Sequence, residues 1–210
     1  MPNQSSLERY LRLSETVPGR TRGAEAQELA RISYSLPEGA VLVEIGSFLG
    51  SGTILLAGPR RMRGSGTVHC IDPFDGGGDS FSVPHYQSVL AQFASGLMRD
   101  HFERNIRECG LAPWVEIHQG RAEEVAESWT TPIDLLFLDG DQSPASARKV
   151  YDRWVSFLKV GGVIALHNSE PANHRPDHDG QRLIAEQEIR EPWFCDVRLV
   201  TSTTLAVKAR

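Results

Sequence analysis

Three cysteines, Cys70, Cys109 and Cys195, are all the sequence contains, and none stands in a CxxC spacing. An odd number without that spacing argues against a disulfide scaffold or a thiolate zinc site and suits a reducing compartment, so all three read as packing residues. Long apolar runs are missing too. Nothing approaches the roughly 20 residues that span a bilayer, and the opening MPNQSSLERYLRL is too polar for a secretory h-region; a cytoplasmic protein with no membrane partner is expected. Positive charge is scarce: 22 Lys and Arg against 27 Asp and Glu leave a formal charge of −5. That balance gives no general attraction to phosphate backbones, so nucleic acid is not an expected partner. Repeats, heptads and low-complexity tracts are absent. What remains is a 210-residue chain, 40% hydrophobic and 23% charged, able to bury one full core.

Short β-rich runs alternate with longer amphipathic stretches, which predicts an α/β fold. Helices are expected around Leu7 to Leu13, where the chain is polar, and from Gly23 to Tyr34, up to the LPEG turn. VLVEI (Val41 to Ile45) reads as a buried parallel strand emptying into the glycine loop GSFLGSGT and a helix. TVHCID (Thr67 to Asp72) is a second strand, followed by a glycine-rich loop to about Pro84 and one long helix from about Tyr86 to Cys109. Trp114 to Gln119 and Ile133 to Asp139 are the third and fourth strands, with a short helix RAEEVAESW between them. A helix from Pro144 to Leu158 and a fifth strand from Gly161 to His167 follow. After a helical segment near Gly180 to Ile189, WFCDVRLV and TTLAVKA are separated by only Thr201 and Ser202, which favours an antiparallel pair closing the sheet. The expected architecture is a doubly wound, mostly parallel seven-stranded sheet, with ligands bound beyond the strand C-termini.

Those C-termini carry Glu44, Asp72, Gln119, Asp139 and His167. The first loop, Glu44-Ile45-Gly46-Ser47-Phe48-Leu49-Gly50-Ser51-Gly52, lets a ligand approach the backbone at a helix N-terminus. It lacks the lysine of a Walker loop, and GxGxxG counted from Gly50 meets Leu55 in place of the last glycine, so both phosphate fingerprints fail. A carboxylate beside the loop and another at Asp72, where it can accept from both ribose hydroxyls, suit a cationic nucleoside better than a pyrophosphate.

At these motifs the chain resembles the class I S-adenosylmethionine-dependent methyltransferases. The resemblance runs from about Val41 to Arg210 through E-x-G-x-x-x-G, HCIDPFDG, G-R-A-E-E, FLDGDQS and LKVGGVIALHN. It implies that Glu44, Gly46, Ser47, Gly50 and Ser51 lie against the methionyl part of S-adenosylmethionine and that Asp72 faces the ribose rather than the core. Arg121 and Ala122 would border the adenine, with Asp139 also at the cofactor. Residues 41–210 would form the cofactor-binding domain. Residues 1–40 would be N-terminal helices that cap the site or make a homodimer contact.

Methyl transfer needs a placed nucleophile and, for a hydroxyl, removal of its proton. Asp139, Asp141, His167 and Asn168 are the candidates. A carboxylate, an imidazole and an amide on adjacent strand ends can hold a divalent cation with open positions, so Asp139, His167 and Asn168 are candidate ligands for Mg²⁺ or Mn²⁺. This set looks like that of the metal-dependent O-methyltransferases of the catechol and natural-product sugar types. Two departures stand out: Gln142 lies where the catechol group has a lysine base, and His167-Asn168 stands where related enzymes read H-D. Glutamine cannot be a base, so His167 or Asp141 would serve, or the metal alone would acidify the hydroxyl; alternatively His167 only orients Asp139 in a metal-free site. The loop Pro73 to Phe81 combines glycines, carboxylates and aromatics suited to sugars, or is a lid without substrate contacts. Ser169 to Gly180, with His174, Asp177, His178 and Asp179, offers further ligands or substrate contacts, but it fits no zinc pattern and is expected rather as a solvated loop. The expected function is methyl transfer to a hydroxyl of a small molecule, a glycoside ahead of a catechol. The alternatives are a metal-free enzyme using His167 on a phenol or amine, and a non-catalytic cofactor-binding protein.

Overall fold

The structure is a computed structural model and describes residues 4–210. Helices α1 (Gln4–Glu15) and α2 (Gly23–Ser35) precede the alternation β1 (Val41–Ile45), α3 (Ser51–Arg63), β2 (Thr67–Asp72), α4 (Val83–Leu90), α5 (Met98–Glu108), β3 (Val115–Gln119) and α6 (Ala122–Val125). The chain continues through β4 (Ile133–Leu138), α7 (Pro144–Trp154), β5 (Leu158–Leu166), α8 (Gly180–Gln187), β6 (Phe194–Val200) and β7 (Thr203–Lys208). One seven-stranded sheet has the order β3-β2-β1-β4-β5-β7-β6. β1 to β5 are parallel, while β7 pairs antiparallel with β5 and with β6. This is the expected doubly wound sheet. The order reverses between β1 and β4, so the loops after these two strands diverge to opposite faces and leave a crevice between them.

Apolar residues on both faces make this sheet a central layer. All six β4 residues are buried, as a strand covered by helices on each side requires. One core, with Leu42, Cys70 and Phe137, lies under α1, α2, α3 and α5; the other, with Val43, Leu136 and Trp154, lies under α6, α7 and α8. Cys70 and Cys109 are buried free thiols and Cys195 is half-buried.

Three expectations about the elements need correction. The single helix from Tyr86 to Cys109 is two helices, because Gly96 takes φ +108° and the Asp100 carboxylate accepts from the Leu97 N–H at 3.1 Å, starting α5 afresh. The helix from Pro144 stops at Trp154 and a single 3₁₀ turn, Val155–Phe157, leads into β5. β5 itself starts at Leu158, before the two glycines, and Gly161 passes through φ +83° within it.

The two N-terminal helices share the main core. α1 and α2 pack on α3, with Tyr10, Val17 and Leu29 buried in the same cluster as Leu42 and Ile54. Arg60 of α3 is fully buried, and its guanidinium donates to the carbonyls of Ser33, Leu36, Pro37 and Ser65 at 2.7–3.2 Å, tying the end of α2 to α3. Gly58 lets α1 approach, since a Cβ there would fall within the Tyr10 ring. Alanine at position 58 would gain about 1 kcal/mol of helix propensity, but overpacking typically costs about 1–3 kcal/mol. Gly58→Ala is therefore expected to lower the urea midpoint; an unchanged or raised midpoint would show that α1 moves freely off α3.

Candidate functional site

The cleft opens where the strand order reverses. It encloses about 1140 Å³, open mouth included, and is lined among others by Gly46, Asp72, Asp75, Tyr86, Ala122, Asp139 and His178. Gly46 takes φ +88°, and a Cβ there would lie 2.5–2.6 Å from the backbone of Asp139 and Gly140. The loops after β1 and β4 can meet only because that side chain is absent.

Two acids hold this loop from below. The carboxylate of Asp72 accepts the Ser47 and Phe48 N–H groups at 2.9 Å and the Phe74 N–H at 2.7 Å. The expectation that it turns wholly away from the core is thereby corrected. It is 7% exposed, and three of its four acceptor positions shape the loops, leaving one free. Burial pushes its pKa up to about 6 against the pull of those backbone donors. Glu44 lies deeper, fully buried, accepting from the Thr53 hydroxyl and from the Cys70 thiol. Burial raises its pKa to about 7, Thr53 opposing. It supports the loop from within and is not among the residues lining the main cleft. Ser51 is also turned inward: its hydroxyl accepts from Arg22 at 2.6 Å and donates to the Ser14 carbonyl at 3.0 Å. Gly50 caps α3 in the left-handed region. Of the residues expected at the cofactor, Gly46, Asp72, Arg121, Ala122 and Asp139 line the main cleft, while Ser47 borders a smaller adjoining pocket with Glu44 and Ser51.

At the ends of β4 and β5 the His167 ring is clamped between two carboxylates. Nδ1 lies 2.6 Å from Asp139 Oδ1, and Nε2 lies 3.5 Å from Glu25 Oε1. His167 is 2% exposed. Burial disfavours its charge, yet Asp139 and Glu25 outweigh it and raise the pKa to about 10. Glu25, despite its own burial, is held down to about 2 by His167 and Ser202. Both carboxylates favour the protonated form of the ring.

A second dyad faces the same cleft. His178 Nδ1 is 3.0 Å from Asp79 Oδ1. Asp79 also accepts from the backbone N–H groups of Ser82 at 2.9 Å and Gln142 at 3.2 Å. Burial works against ionisation of Asp79, but His178 and these donors hold its pKa near 2. A neutral ring that donates Nδ1–H to Asp79 presents its Nε2 lone pair, which lies 3.5 Å from Asn168 Nδ2. This corrects the solvated-loop expectation for Ser169 to Gly180. His174 and Asp177 are exposed, but His178 is 2% exposed, and Asn173 ties the loop through the carbonyls of Asn168 and His178.

Residues 43–169 match the family described as "Methyltransferase domain". The chain belongs to this methyltransferase family. Solved structures share its fold. They include the O-methyltransferase TomG from Streptomyces achromogenes, involved in tomaymycin synthesis and solved with SAM (18% identity, TM-score 0.60, 99% of this chain and 91% of that one). A Bacillus cereus O-methyltransferase in complex with SAH (18%, 0.62, 99% and 93%) and the O-methyltransferase NovP (18%, 0.65, 97% and 79%) are similar too.

In this methyltransferase the expected metal set of Asp139, His167 and Asn168 lines the cleft, but its histidine is engaged elsewhere. His167 has each ring nitrogen facing a carboxylate, Nδ1 at Asp139 and Nε2 at Glu25, so this clamp does not present the ring as a ligand, and Asn168 turns its Nδ2 toward His178 at 3.5 Å. The same clamp leaves His167 no free lone pair for general-base work. Asp141, whose Oδ1 accepts the Ser143 N–H at 2.9 Å, lines the cleft beside Asp139. The sequence does not single out Glu25, and it offers Asp79 and His178 only as members of separate loops, not as a pair. Only the acid in the first turn of α2 and the D-x-x-S of Asp79 to Ser82, a turn pattern, hinted at their roles.

Glu44 generates a sign-specific test. Because its folded pKa of about 7 exceeds the ordinary 4.5, the native state holds a proton between these values that the unfolded chain has released. Its contribution to stability is therefore lost as pH rises through that window. Urea denaturation at several pH values should show Glu44→Gln gaining on wild type from about pH 4.5 to 7. A constant difference between the two would place the proton elsewhere.

Proposed function

We propose that the protein is an S-adenosylmethionine-dependent O-methyltransferase acting on a hydroxyl of a small molecule, with His178 as general base and without a metal. The carrying observation is the Asp79–His178 dyad opening into the cleft at the sheet's reversal. When bound, S-adenosylmethionine supplies an electrophilic methyl group on a sulfonium. The residues fit such a cationic nucleoside: Gly46 presents bare backbone, Asp72 keeps one acceptor position and Asp75 adds a second carboxylate at the cleft wall. Arg121 and Ala122 also line the cleft.

Transfer to oxygen requires that the hydroxyl proton leave as the bond to carbon forms. His178 Nε2 accepts it, and Asp79 both fixes the tautomer and stabilises the imidazolium that results. Asp139, oriented by His167, adds negative charge that favours a cationic ligand over a neutral one. Oxygen as acceptor is supported by the neighbours named as O-methyltransferases. A polyhydroxylated, sugar-type acceptor is supported by the loop of Asp75, Gly76, Gly77 and Gly78 with His85 and Tyr86 along the cleft.

Calorimetry with S-adenosylhomocysteine and methyl-transfer assays on glycosides, catechols and amines test this reading. His178→Ala is expected to lower kcat by about 10²- to 10⁴-fold, leave the affinity for S-adenosylhomocysteine unchanged, and EDTA should not affect wild-type turnover. Full activity of His178→Ala would remove the base. Loss in EDTA with recovery on Mg²⁺ or Mn²⁺ would instead restore a metal centre at Asp139 and Asn168. Cofactor binding without turnover on any acceptor would favour a non-catalytic protein.

A further inference from the structure

Away from the cleft, three side chains converge on the outer part of the sheet. His69 of β2 stands in register with Glu116 of the neighbouring edge strand β3. His118 follows Glu116 by two residues and so projects from the same face. His69 Nδ1 and His118 Nε2 lie 3.0 Å apart, and the Glu116 carboxylate reaches each of them at 3.6 Å. Among the described residues this is the one group of three such side chains with ligand atoms within 4.8 Å of one another.

We propose that His69, Glu116 and His118 form a binding site for a borderline divalent cation of the Zn²⁺ class, fastening edge strand β3 to β2. Bonds of 2.0–2.1 Å in tetrahedral geometry separate ligand atoms by about 3.3 Å; the two ring nitrogens lie 3.0 Å apart, and Glu116 places Oε2 3.6 Å from His69 and Oε1 3.6 Å from His118, so one of these oxygens completes a set within 4.8 Å. The donor set selects the ion. Two imidazoles and one carboxylate suit Zn²⁺, Co²⁺ or Ni²⁺, whereas Mg²⁺ and Ca²⁺ prefer oxygen throughout. Both rings are braced by Trp129, which meets His69 edge-on at 4.9 Å and His118 at 5.6 Å between centroids. Trp129 is fixed in turn by its indole N–H to the Thr131 carbonyl at 2.6 Å. A support that locks the orientation of imidazole ligands is what a metal site needs around it. The Glu116 side chain is 59% exposed, which gives the ion a path in and leaves a fourth position for water. The plain alternative is a hydrogen bond between the two rings with no ion.

Cobalt is the probe. Metal-stripped full-length protein titrated with Co²⁺ is expected to develop the visible ligand-field bands of a four- or five-coordinate site at one equivalent, and Zn²⁺ should displace them. His118→Ala should abolish the bands, and Glu116→Gln, an exposed and structurally mild change, should weaken Zn²⁺ binding tenfold or more. Zn²⁺ should raise the melting temperature of wild type and not of His118→Ala. S-adenosylhomocysteine binding by both variants serves as the check that they are folded. Absent bands in folded wild type, or bands that persist in His118→Ala, would overturn the site and leave the hydrogen-bonded pair.

Discussion

A carboxylate buried almost wholly out of water, as Glu25 is, needs a compensating positive charge, because leaving it unpaired would cost several kcal/mol. The Glu25, His167 and Asp139 cluster satisfies that condition, and much of the molecule is arranged around it. Glu25 comes from α2, His167 from the end of β5 and Asp139 from the end of β4. Glu25 also accepts from the hydroxyls of Ser202 and Thr203, so the β6–β7 turn is held by the same carboxylate. Four segments far apart in sequence are thus joined at one charged point beneath the cleft. The N-terminal helices are therefore part of the site's foundation as well as of the core.

The acids around the cleft show how environment divides one residue type into different roles. Glu44 and Asp72 are shielded from water and receive hydroxyl, thiol or backbone donors, and burial wins: both are pushed upward. Asp79 and Glu25 are also buried, but each faces an imidazole, and the partner wins: both are pulled down. The first pair shapes the glycine loop; the second pair orients histidines. Two histidines are separated by the same logic. His167 has carboxylates at both nitrogens and is locked as a cation, whereas His178 has one carboxylate and one nitrogen left to work with.

The fold was largely legible because it depends on local patterns. β-branched runs of five or six residues, glycine loops behind them and a two-residue turn at Thr201 and Ser202 are properties of neighbouring residues, and they determine a doubly wound sheet with an antiparallel finish. The element limits that differed, at Gly96 and at Leu158, turned on a single left-handed glycine and on strand pairing with β4, neither of which periodicity reports.

The sequence by itself determined that ligands meet the strand ends, that Gly46, Asp72 and Asp139 stand there, and that a methyltransferase is the family resembled, since these follow from order along the chain. The tertiary structure alone decided which nitrogen of which histidine is free. His167 looked available because its partner Glu25 is 142 positions away (167 − 25), and His178 looked solvated because Asp79 is 99 positions away. Electrostatic partners act through distances of a few ångströms, and only the closed fold converts those separations in sequence into contacts.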